Sequence, residues 1–207
     1  MPKWFQTKSW KKERERYLTP VPPAAEQIRL TENADENLKN IRAALQDTAD
    51  FMVREITVCG IKVKLMMFEG QFNLQTLSEI LLEPLLQLSL PQPSAEKLEN
   101  WILNETVLGM DQSQVETLGE LFPFLMSGFA GIMIDGAEKT IVCGVQGFSF
   151  RSVSEPSAEE NVRGSREGFT EPIRINMTMV RRRIKSSSLK MELMKAGVKS
   201  RTDLCLL

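Results

Sequence analysis

Apolar residues recur every three or four positions in four stretches, a spacing that places them on one face of a helix. The predicted helices cover residues 34–47, residues 74–88, a run capped by Ser94, and residues 112–126. Thr31 or Asn33 is the expected cap of the first helix, and Leu98, Trp101 and Ile102 form the buried face of the third. Pro84 interrupts the second stretch, which predicts a buried helix with a kink.

Other apolar runs have the composition of strands. Phe51–Val58 and Lys62–Phe68 are rich in β-branched and apolar residues, with Gly60 in the turn between them. The run GIMIDGAEKTIVCGV places two apolar stretches around Asp135-Gly136, the best hairpin signal in the chain. Helices and strands alternate, so we predict an α/β fold, with α+β as the alternative, in which helices pack on a mixed sheet. No internal repeat is evident.

The pattern divides the chain into four parts. They are a basic, proline-terminated arm at residues 1–30, a first α/β subdomain at 31–150, a charged segment with a helix at 151–188, and the incomplete start of a second α/β subdomain at 189–207. The last part has a brief apolar stretch over Leu189–Leu193 and a predicted strand over Thr202–Leu207. Such a strand exposes an apolar edge unless another segment pairs with it.

Charges of both signs crowd into residues 150–184, FRSVSEPSAEENVRGSREGFTEPIRINMTMVRRRI, which we call the signature segment. Its basic residues are all arginine, whose planar guanidinium is suited to fixed bidentate pairing. The segment therefore predicts an ordered polar network. Gly164 and Gly168 bracket Arg166 and Glu167, which favours a sharp turn that presents these two side chains.

The second half of the signature segment predicts a helix over about residues 171–185. Its apolar positions are Ile173, Met177, Val180 and Ile184. We expect Thr170 or Glu171 as the cap and Pro172 in the first turn, where a missing N–H costs little. Three arginines occupy the last turns, where the helix dipole favours cations.

The signature segment resembles a stretch of the A subunits of bacterial spore germinant receptors of the GerA type, which reads approximately RSVxEPxxExxVRGPREGFxExxxxNxxLIRRRI. Ser165 stands where that family usually has proline, which loosens the turn before Arg166 and removes no charge. Weaker similarity includes Ile134-Asp135-Gly136, Ser127-Gly128 and Phe68-Glu69-Gly70, so the resemblance extends from about Asp50 to the C-terminus.

The resemblance implies the N-terminal soluble domain of a nutrient germinant receptor subunit that senses or couples a signal in spore germination. It implies B and C type subunits as partners, with a homo-oligomer and a nutrient germinant as further candidates. The full-length protein would lie in the spore inner membrane or the cell membrane, with this part on the cytoplasmic side. We expect that the membrane part is missing here, either because a domain was excised or because the gene is truncated.

Composition excludes several classes of function. A net charge of -1 argues against a general nucleic-acid binder, and the absence of histidine rules out histidine triads and zinc fingers. The three cysteines, Cys59, Cys143 and Cys205, are far apart and lie in apolar runs, which is typical of reduced core thiols. No stretch reaches the roughly 18 uninterrupted apolar residues that cross a bilayer, so we predict that the isolated chain is soluble.

The basic arm leaves three interpretations open. It interleaves lysines and arginines with Trp4, Trp10 and Tyr17 before a proline-rich end. A disordered tail is the simplest interpretation, peripheral contact with anionic lipid headgroups is the second, and nucleic-acid contact is the third.

Catalytic chemistry has little support in the sequence. The glutamates of the signature segment each lie within a few residues of an arginine, so mutual neutralisation explains them more simply than an acid–base pair. Calcium-loop spacing and the P-loop pattern are absent. Arg181-Arg182-Arg183 more simply complements the helix dipole or contacts acidic partners than binds DNA or RNA. We therefore predict a protein that is not an enzyme and has no cofactor and no metal.

The signature segment supplies the candidate coupling or interface residues. They are Arg151, Glu155, Arg163, Arg166, Glu167, Glu171, Asn176, Arg181, Arg182 and Arg183. We hypothesise that this segment is a rigid coupling element between subdomains or protomers, whose ion pairs exchange when a receptor switches. The alternative is a stand-alone cytosolic protein-interaction module without a membrane partner.

Overall fold

The computed structural model describes residues 27–106, 111–147 and 168–207. The helices are α1 (Ala34–Ala44), α2 (Leu74–Thr76), a π-helical segment (Leu77–Leu82), α3 (Glu83–Gln87), α4 (Ala95–Asn104), α5 (Leu118–Leu125) and α6 (Ile173–Arg183). The strands are β1 (Phe51–Val58), β2 (Ile61–Phe68), β3 (Gln112–Val115), β4 (Phe129–Ile134), β5 (Thr140–Gly144), β6 (Glu192–Ala196) and β7 (Thr202–Leu206). None of the helices in these ranges has the length and apolar character of a membrane span.

Five strands form one sheet in the order β1-β2-β4-β5-β3, and β6 and β7 form a separate hairpin. Every strand pair described here is antiparallel. The predicted combination of helices and a sheet is confirmed, in the α+β form that was the alternative. The described strands contain no parallel pair of the kind that a mixed sheet would have. A tight turn explains the direction of the first pair. Cys59 and Gly60 both have positive φ in the β1–β2 turn, a conformation that joins only antiparallel neighbours.

Helices cover both faces of the sheet, and each face has its own apolar core. β2 is buried from Val63 to Phe68, and its alternate side chains point to opposite faces. Leu65 and Met67 contact one core together with the helices of residues 74–104, whereas Met66 and Phe68 contact the other together with α1 and α5. The sheet is therefore the middle of three layers.

The helix predicted over residues 74–88 is present, but it contains a π-helical segment. The N–H of Glu83 donates to the carbonyl of Ser78, five residues back. Pro84 follows directly, and a proline ring clashes with the carbonyl four residues before it in a regular helix. The wider turn lets the chain continue while Leu77, Leu81 and Leu85 stay buried.

The helix predicted over residues 112–126 is wrong in its first half. Gln112–Val115 is strand β3, paired with β5, and a new helix begins only after Thr117, whose side-chain oxygen accepts a hydrogen bond from the N–H of Glu120 at 3.2 Å. In the apolar spacing that predicted one helix, Leu118, Leu121 and Phe122 form the buried face of α5, whereas Val115 is a buried residue of β3. Pairing with β5 is a tertiary effect that the short polar sequence QSQV does not reveal.

The N-terminal helix α1 is fixed at its start by several hydrogen bonds. Of the two predicted caps, Thr31 and Asn33, it is Asn33 that caps the helix: its side chain accepts bonds from the N–H groups of Asp35 and Glu36. Lys64 of β2 is 2% exposed, and its Nζ lies 2.7 Å from Asp35 and 2.5 Å from Glu55. One buried lysine therefore joins α1 to the first hairpin.

These contacts shift the pKa of both partners. The hydrogen bond from Lys64, followed by its charge, lowers the pKa of Asp35 below its usual range. Burial alone would lower the pKa of Lys64, but its hydrogen bonds and the charges of Asp35 and Glu55 outweigh burial and raise it. The three cysteines, predicted as core thiols, are free, but only Cys143 is buried, whereas Cys59 and Cys205 are half-buried. Burial, followed by the charge of Asp111, raises the pKa of Cys143 to about 12.

The Lys64 site predicts a stability that falls at both ends of the pH range. A lowered pKa of Asp35 contributes stability that is lost as the pH falls below about 4, and a raised pKa of Lys64 contributes stability that is lost above about pH 10. Urea unfolding measured against pH should show a shallower acid limb for Asp35→Asn than for the wild type. The matched control is Glu36→Gln in the same helical turn, and equal acid limbs in both variants would contradict the prediction.

Candidate functional site

The structure describes five of the ten candidate residues. Arg151, Glu155, Arg163, Arg166 and Glu167, together with the turn predicted at Gly164, lie outside the described residues. The other five candidates lie in α6 or directly before it. They are Glu171, Asn176, Arg181, Arg182 and Arg183. The helix itself was predicted over about residues 171–185 and is observed over Ile173–Arg183.

Arg181 is fully buried at 0% exposure and faces Asp50, the residue that precedes β1. Its Nε donates to Asp50 Oδ2 at 2.7 Å and its Nη2 donates to Asp50 Oδ1 at 3.1 Å, a bidentate pair. The guanidinium carbon also lies 4.8 Å from the centre of the Phe68 ring. The carboxylate compensates the buried charge, and the ring covers the guanidinium face.

The remaining donors of Arg181 bind the chain that follows α6. Nη1 donates to the carbonyl of Ser186 at 3.0 Å, and Nη2 donates to the carbonyl of Leu189 at 2.7 Å. Nη2 also lies 3.2 Å from the hydroxyl of Thr48. One guanidinium therefore joins three parts of the chain: α6, the segment before β1, and the link from α6 to β6.

Thr48 completes this network. Its hydroxyl donates to Asp50 Oδ1 at 2.6 Å and accepts a hydrogen bond from the N–H of Met191 at 2.9 Å. The N–H of Ala49 donates to the carbonyl of Met191 at 2.9 Å. We call Thr48, Asp50 and Arg181 the anchor. Since each polar group of the anchor has a partner, its burial is compensated.

A close backbone contact holds the middle of α6. Gly70 has φ of +74°, and a Cβ placed there would lie 2.1 Å from the hydroxyl oxygen of Thr178. That hydroxyl lies 3.2 Å from the carbonyl oxygen of Glu69 and 3.0 Å from that of Arg174, and its one proton can be donated to either acceptor. Arg174 pairs with the carboxylate of Glu69 at the surface, where the side chains are 58% and 29% exposed. The loop after β2 therefore contacts α6 directly.

Asn176 fixes the start of α6 in a way that the sequence analysis missed. The predicted caps, Thr170 and Glu171, are wrong, because Pro172 occupies the cap position and no side chain caps it. Instead, Asn176 Oδ1 accepts a hydrogen bond from the N–H of Thr170 at 2.7 Å, and Nδ2 donates to the carbonyl of Thr170 at 2.6 Å. The asparagine thus holds the chain that leads into the helix.

The other described candidates lie at the two ends of α6, with Glu171 before its start and Arg182 and Arg183 in its last turn. Glu171 and Arg183 are exposed and Arg182 is half-buried. Just beyond them, Lys185 donates to the hydroxyl of Ser127 at 2.9 Å. Within the described ranges, no group of three or more acidic or cysteine side chains is arranged to hold a metal.

The short motifs singled out in the sequence lie around these contacts. Phe68-Glu69-Gly70 contacts α6, and the Ser127 hydroxyl accepts a hydrogen bond from Lys185. The third motif, Ile134-Asp135-Gly136, supports α1: Asp135 Oδ1 accepts from the N–H of Ala34 at 3.2 Å. Sequence reasoning missed Thr48 and Asp50 because their importance depends on a partner 131 residues away from Asp50.

The anchor predicts a large loss of stability when one partner is removed. Arg181→Met leaves the Asp50 carboxylate buried without its charge partner, which typically costs about 3–5 kcal/mol. The matched control is Arg42→Met, since Arg42 holds the same position in α1 and pairs with Asp47 at 3.7 Å with its side chain 47% exposed. We expect Arg42→Met to change the free energy of unfolding, measured with urea, by less than about 1 kcal/mol. Equal losses in the two variants would refute the assignment.

The close contact at Gly70 predicts a second, separable effect. Gly70→Ala and Gly60→Ala both place a side chain at positive φ, but a Cβ at Gly60 meets no atom within 4 Å. Backbone strain should lower the free energy of unfolding of both variants by about 1–2 kcal/mol. Gly70→Ala should lower it further, because its Cβ would also collide with Thr178. Combining Gly70→Ala with Thr178→Ala should recover that extra loss in thermal unfolding. Identical stability of the two glycine variants would show that the contact between Gly70 and Thr178 of α6 is not tight enough to matter.

Known proteins match this chain along most of its length. The family model described as Bacillus/Clostridium GerA spore germination protein matches residues 39–207. Spore germination protein KA of Bacillus subtilis (strain 168) is 32% identical over 181 residues, which cover 83% of this chain and 32% of that protein. Stage V sporulation protein AF of the same organism is 29% identical over 182 residues, 86% of this chain and 36% of its own length. The chain spans about a third of the length of these relatives.

A solved structure shares the fold. The crystal structure of the N-terminal domain of the A subunit of the Bacillus megaterium spore germinant receptor GerK3 has a TM-score of 0.65 to this chain, with 24% sequence identity. The match covers 86% of this chain and 65% of that one. At this identity the likeness establishes the fold, whereas the match to the family model over residues 39–207 establishes the family. The chain belongs to the GerA family of spore germination proteins.

Proposed function

We propose that this chain serves as the N-terminal domain of a germinant receptor A-type subunit and that α6 couples its parts during germination. The anchor is the observation that carries the coupling proposal. Arg181 binds the segment before β1 and the link to β6 with the same guanidinium. A displacement of the β6–β7 hairpin therefore changes the environment of a buried charge, which makes such a displacement energetically costly.

The structure separates two kinds of ion pair in this coupling element. Arg181 and Asp50 are 0% and 4% exposed, so breaking this pair would leave two uncompensated buried charges. Arg174 and Glu69 meet at the surface, where water replaces a lost partner at small cost. We propose that Arg181 remains fixed during switching and that surface pairs such as Arg174 with Glu69 exchange. Exchange was hypothesised for the whole signature segment, and we now propose it only for the exposed pairs, because the burial of Arg181 makes its exchange costly.

The remaining signature residues would provide further exchangeable contacts. Arg151, Glu155, Arg163, Arg166 and Glu167 precede α6 in sequence. Glu171, Arg182 and Arg183 flank or end the helix at or near the surface. We assign these eight residues to contacts with other subdomains or protomers. Their arginine content suits bidentate pairs that can form with one carboxylate and then with another.

The proposed setting is a receptor complex with B and C type subunits, in which the full-length protein contains a membrane part and this domain lies on the cytoplasmic side. A nutrient germinant is a candidate ligand of the complex. The relatives carry the names of germination and sporulation proteins, and we propose a role without catalysis for this chain.

A chimaera tests this function. Residues 39–207 would replace the matching region of Spore germination protein KA in Bacillus subtilis, with germination measured against a nutrient whose effect requires that protein. The chimaera should respond to the nutrient, and Arg181→Met within it should abolish the response, whereas Arg42→Met should not. Immunoblots of spores would establish that each chimaera is present.

The outcomes separate the two parts of the proposal. A chimaera that is present but does not respond would refute the receptor function. A responding chimaera that tolerates Arg181→Met would refute coupling through the anchor and leave the receptor function intact.

A further inference from the structure

The helix α6 is held at two places by contacts of different kinds. Toward its C-terminal end, the fully buried Arg181 binds both carboxylate oxygens of Asp50 and two backbone carbonyls. In its first half, Arg174 pairs with the Glu69 carboxylate at the surface, and the Thr178 hydroxyl lies 3.2 Å from the Glu69 carbonyl oxygen. The first half therefore meets the loop after β2 through groups that water can reach, whereas the second half is fixed by the anchor.

The Thr178 hydroxyl has a second acceptor inside the helix. The carbonyl oxygen of Arg174, four residues earlier, lies 3.0 Å from it. A threonine hydroxyl in a helix commonly donates to this carbonyl, which in a regular helix also accepts the N–H of the threonine. The hydroxyl carries one proton, so rotation about its C–O bond moves the hydrogen bond from Glu69 to Arg174. Thr178 thus remains paired when the helix leaves the loop.

The ion pair at the same contact also separates at small cost. The Arg174 and Glu69 side chains are 58% and 29% exposed, so water can hydrate both after they part. Arg181 and Asp50 are 0% and 4% exposed, and their separation would leave two buried charges without partners. The first half of α6 can therefore part from the loop under conditions in which the anchor stays closed.

Gly70 makes this contact dependent on the position of the helix. Its φ is +74°, and a Cβ at this position would collide with the Thr178 hydroxyl. The collision exists only while α6 lies against the loop and disappears when the helix moves away. A side chain at position 70 therefore disfavours the closed arrangement specifically.

We propose that the first half of α6 is a latch on the loop after β2, with Arg181 as its fixed point. In the closed state, Thr178 donates to the carbonyl of Glu69. In the open state, Thr178 donates to the carbonyl of Arg174, and the first half of the helix has moved away from the loop. A threonine bonded to the carbonyl four residues back tends to bend a helix, which favours this movement. The latch rests on the switching role proposed above and identifies the hydroxyl that changes its partner.

Methyl relaxation dispersion in NMR tests the latch in the full chain. Met177 lies in the first half of α6 and is 4% exposed, whereas Met191 is fully buried and its N–H binds Thr48 of the anchor. A minor state of a two-state equilibrium is typically populated to about 0.1–10% and exchanges over microseconds to milliseconds. The Met177 methyl group should show this exchange, and the Met191 methyl group should not.

Two substitutions should raise the population of the open state. Gly70→Ala introduces the collision, and Thr178→Val removes the hydrogen bond to Glu69, which by itself changes such an equilibrium about two- to tenfold. Gly60→Ala is the matched control for the first, because it also has positive φ but its Cβ meets no atom within 4 Å. Thr178→Ser keeps the hydroxyl and should retain the wild-type population.

Three results would overturn the latch. The first is an absence of exchange at Met177 in the wild type and in Thr178→Val. The second is exchange at Met191 together with Met177, which would mean that the anchor moves with the helix. The third is the same population in Thr178→Val and Thr178→Ser, which would show that the hydroxyl is not the switching group.

These measurements are independent of the chimaera experiment. They need only the chain itself, so the latch can fail while the chimaera still responds to the nutrient. A chimaera that does not respond would refute the receptor function and leave the measured opening of α6 unchanged.

Discussion

The buried pair of Arg181 and Asp50 is the interaction on which the arrangement of this molecule depends. Burying a guanidinium is favourable only when its charge and its donors all find partners, and this requirement fixes where every partner must lie. The carboxylate comes from the segment before β1, and the carbonyls come from the link between α6 and β6. As a consequence, the three segments keep one mutual geometry, because any relative shift would leave a polar group of the anchor unpaired.

The loop after β2 complements this electrostatic constraint with a steric one. Gly70 lets the backbone approach Thr178 within a distance that no larger residue allows, and the neighbouring carbonyl then accepts the threonine hydroxyl. Phe68 ends the same strand and lies against the Arg181 guanidinium. Three successive residues, Phe68-Glu69-Gly70, therefore serve three different contacts with one helix. This explains why a motif far from the signature segment in sequence belongs to the same structural unit.

Two helices, α1 before the β1–β2 hairpin and α6 before the β6–β7 hairpin, have similar local sequences but different surroundings. Arg42 and Arg181 hold the same position in their helices, yet Arg42 is a half-exposed surface residue and Arg181 is buried against Asp50. The first hairpin belongs to the five-stranded sheet, in which β2 is buried from Val63 to Phe68, whereas the second hairpin forms a separate two-stranded sheet. In both helices an asparagine in the first turn binds the threonine six residues before it, although only α1 has a side-chain cap. The surface against which each helix packs then decides the role of its arginine.

Local chemistry in the sequence determined the first hairpin, the hairpin at Asp135-Gly136, the Asn33 and Ser94 caps and the extent of α6, because spacing and capping act over a few residues. The sequence also indicated that the arginines of α6 pair with carboxylates, as Arg174 and Arg181 do. The tertiary structure alone decided that Gln112–Val115 is a strand and that Arg181 among three successive arginines is the buried one. Each of these depends on a partner distant in sequence, and a local pattern carries no record of which surface the folded chain will bring to it.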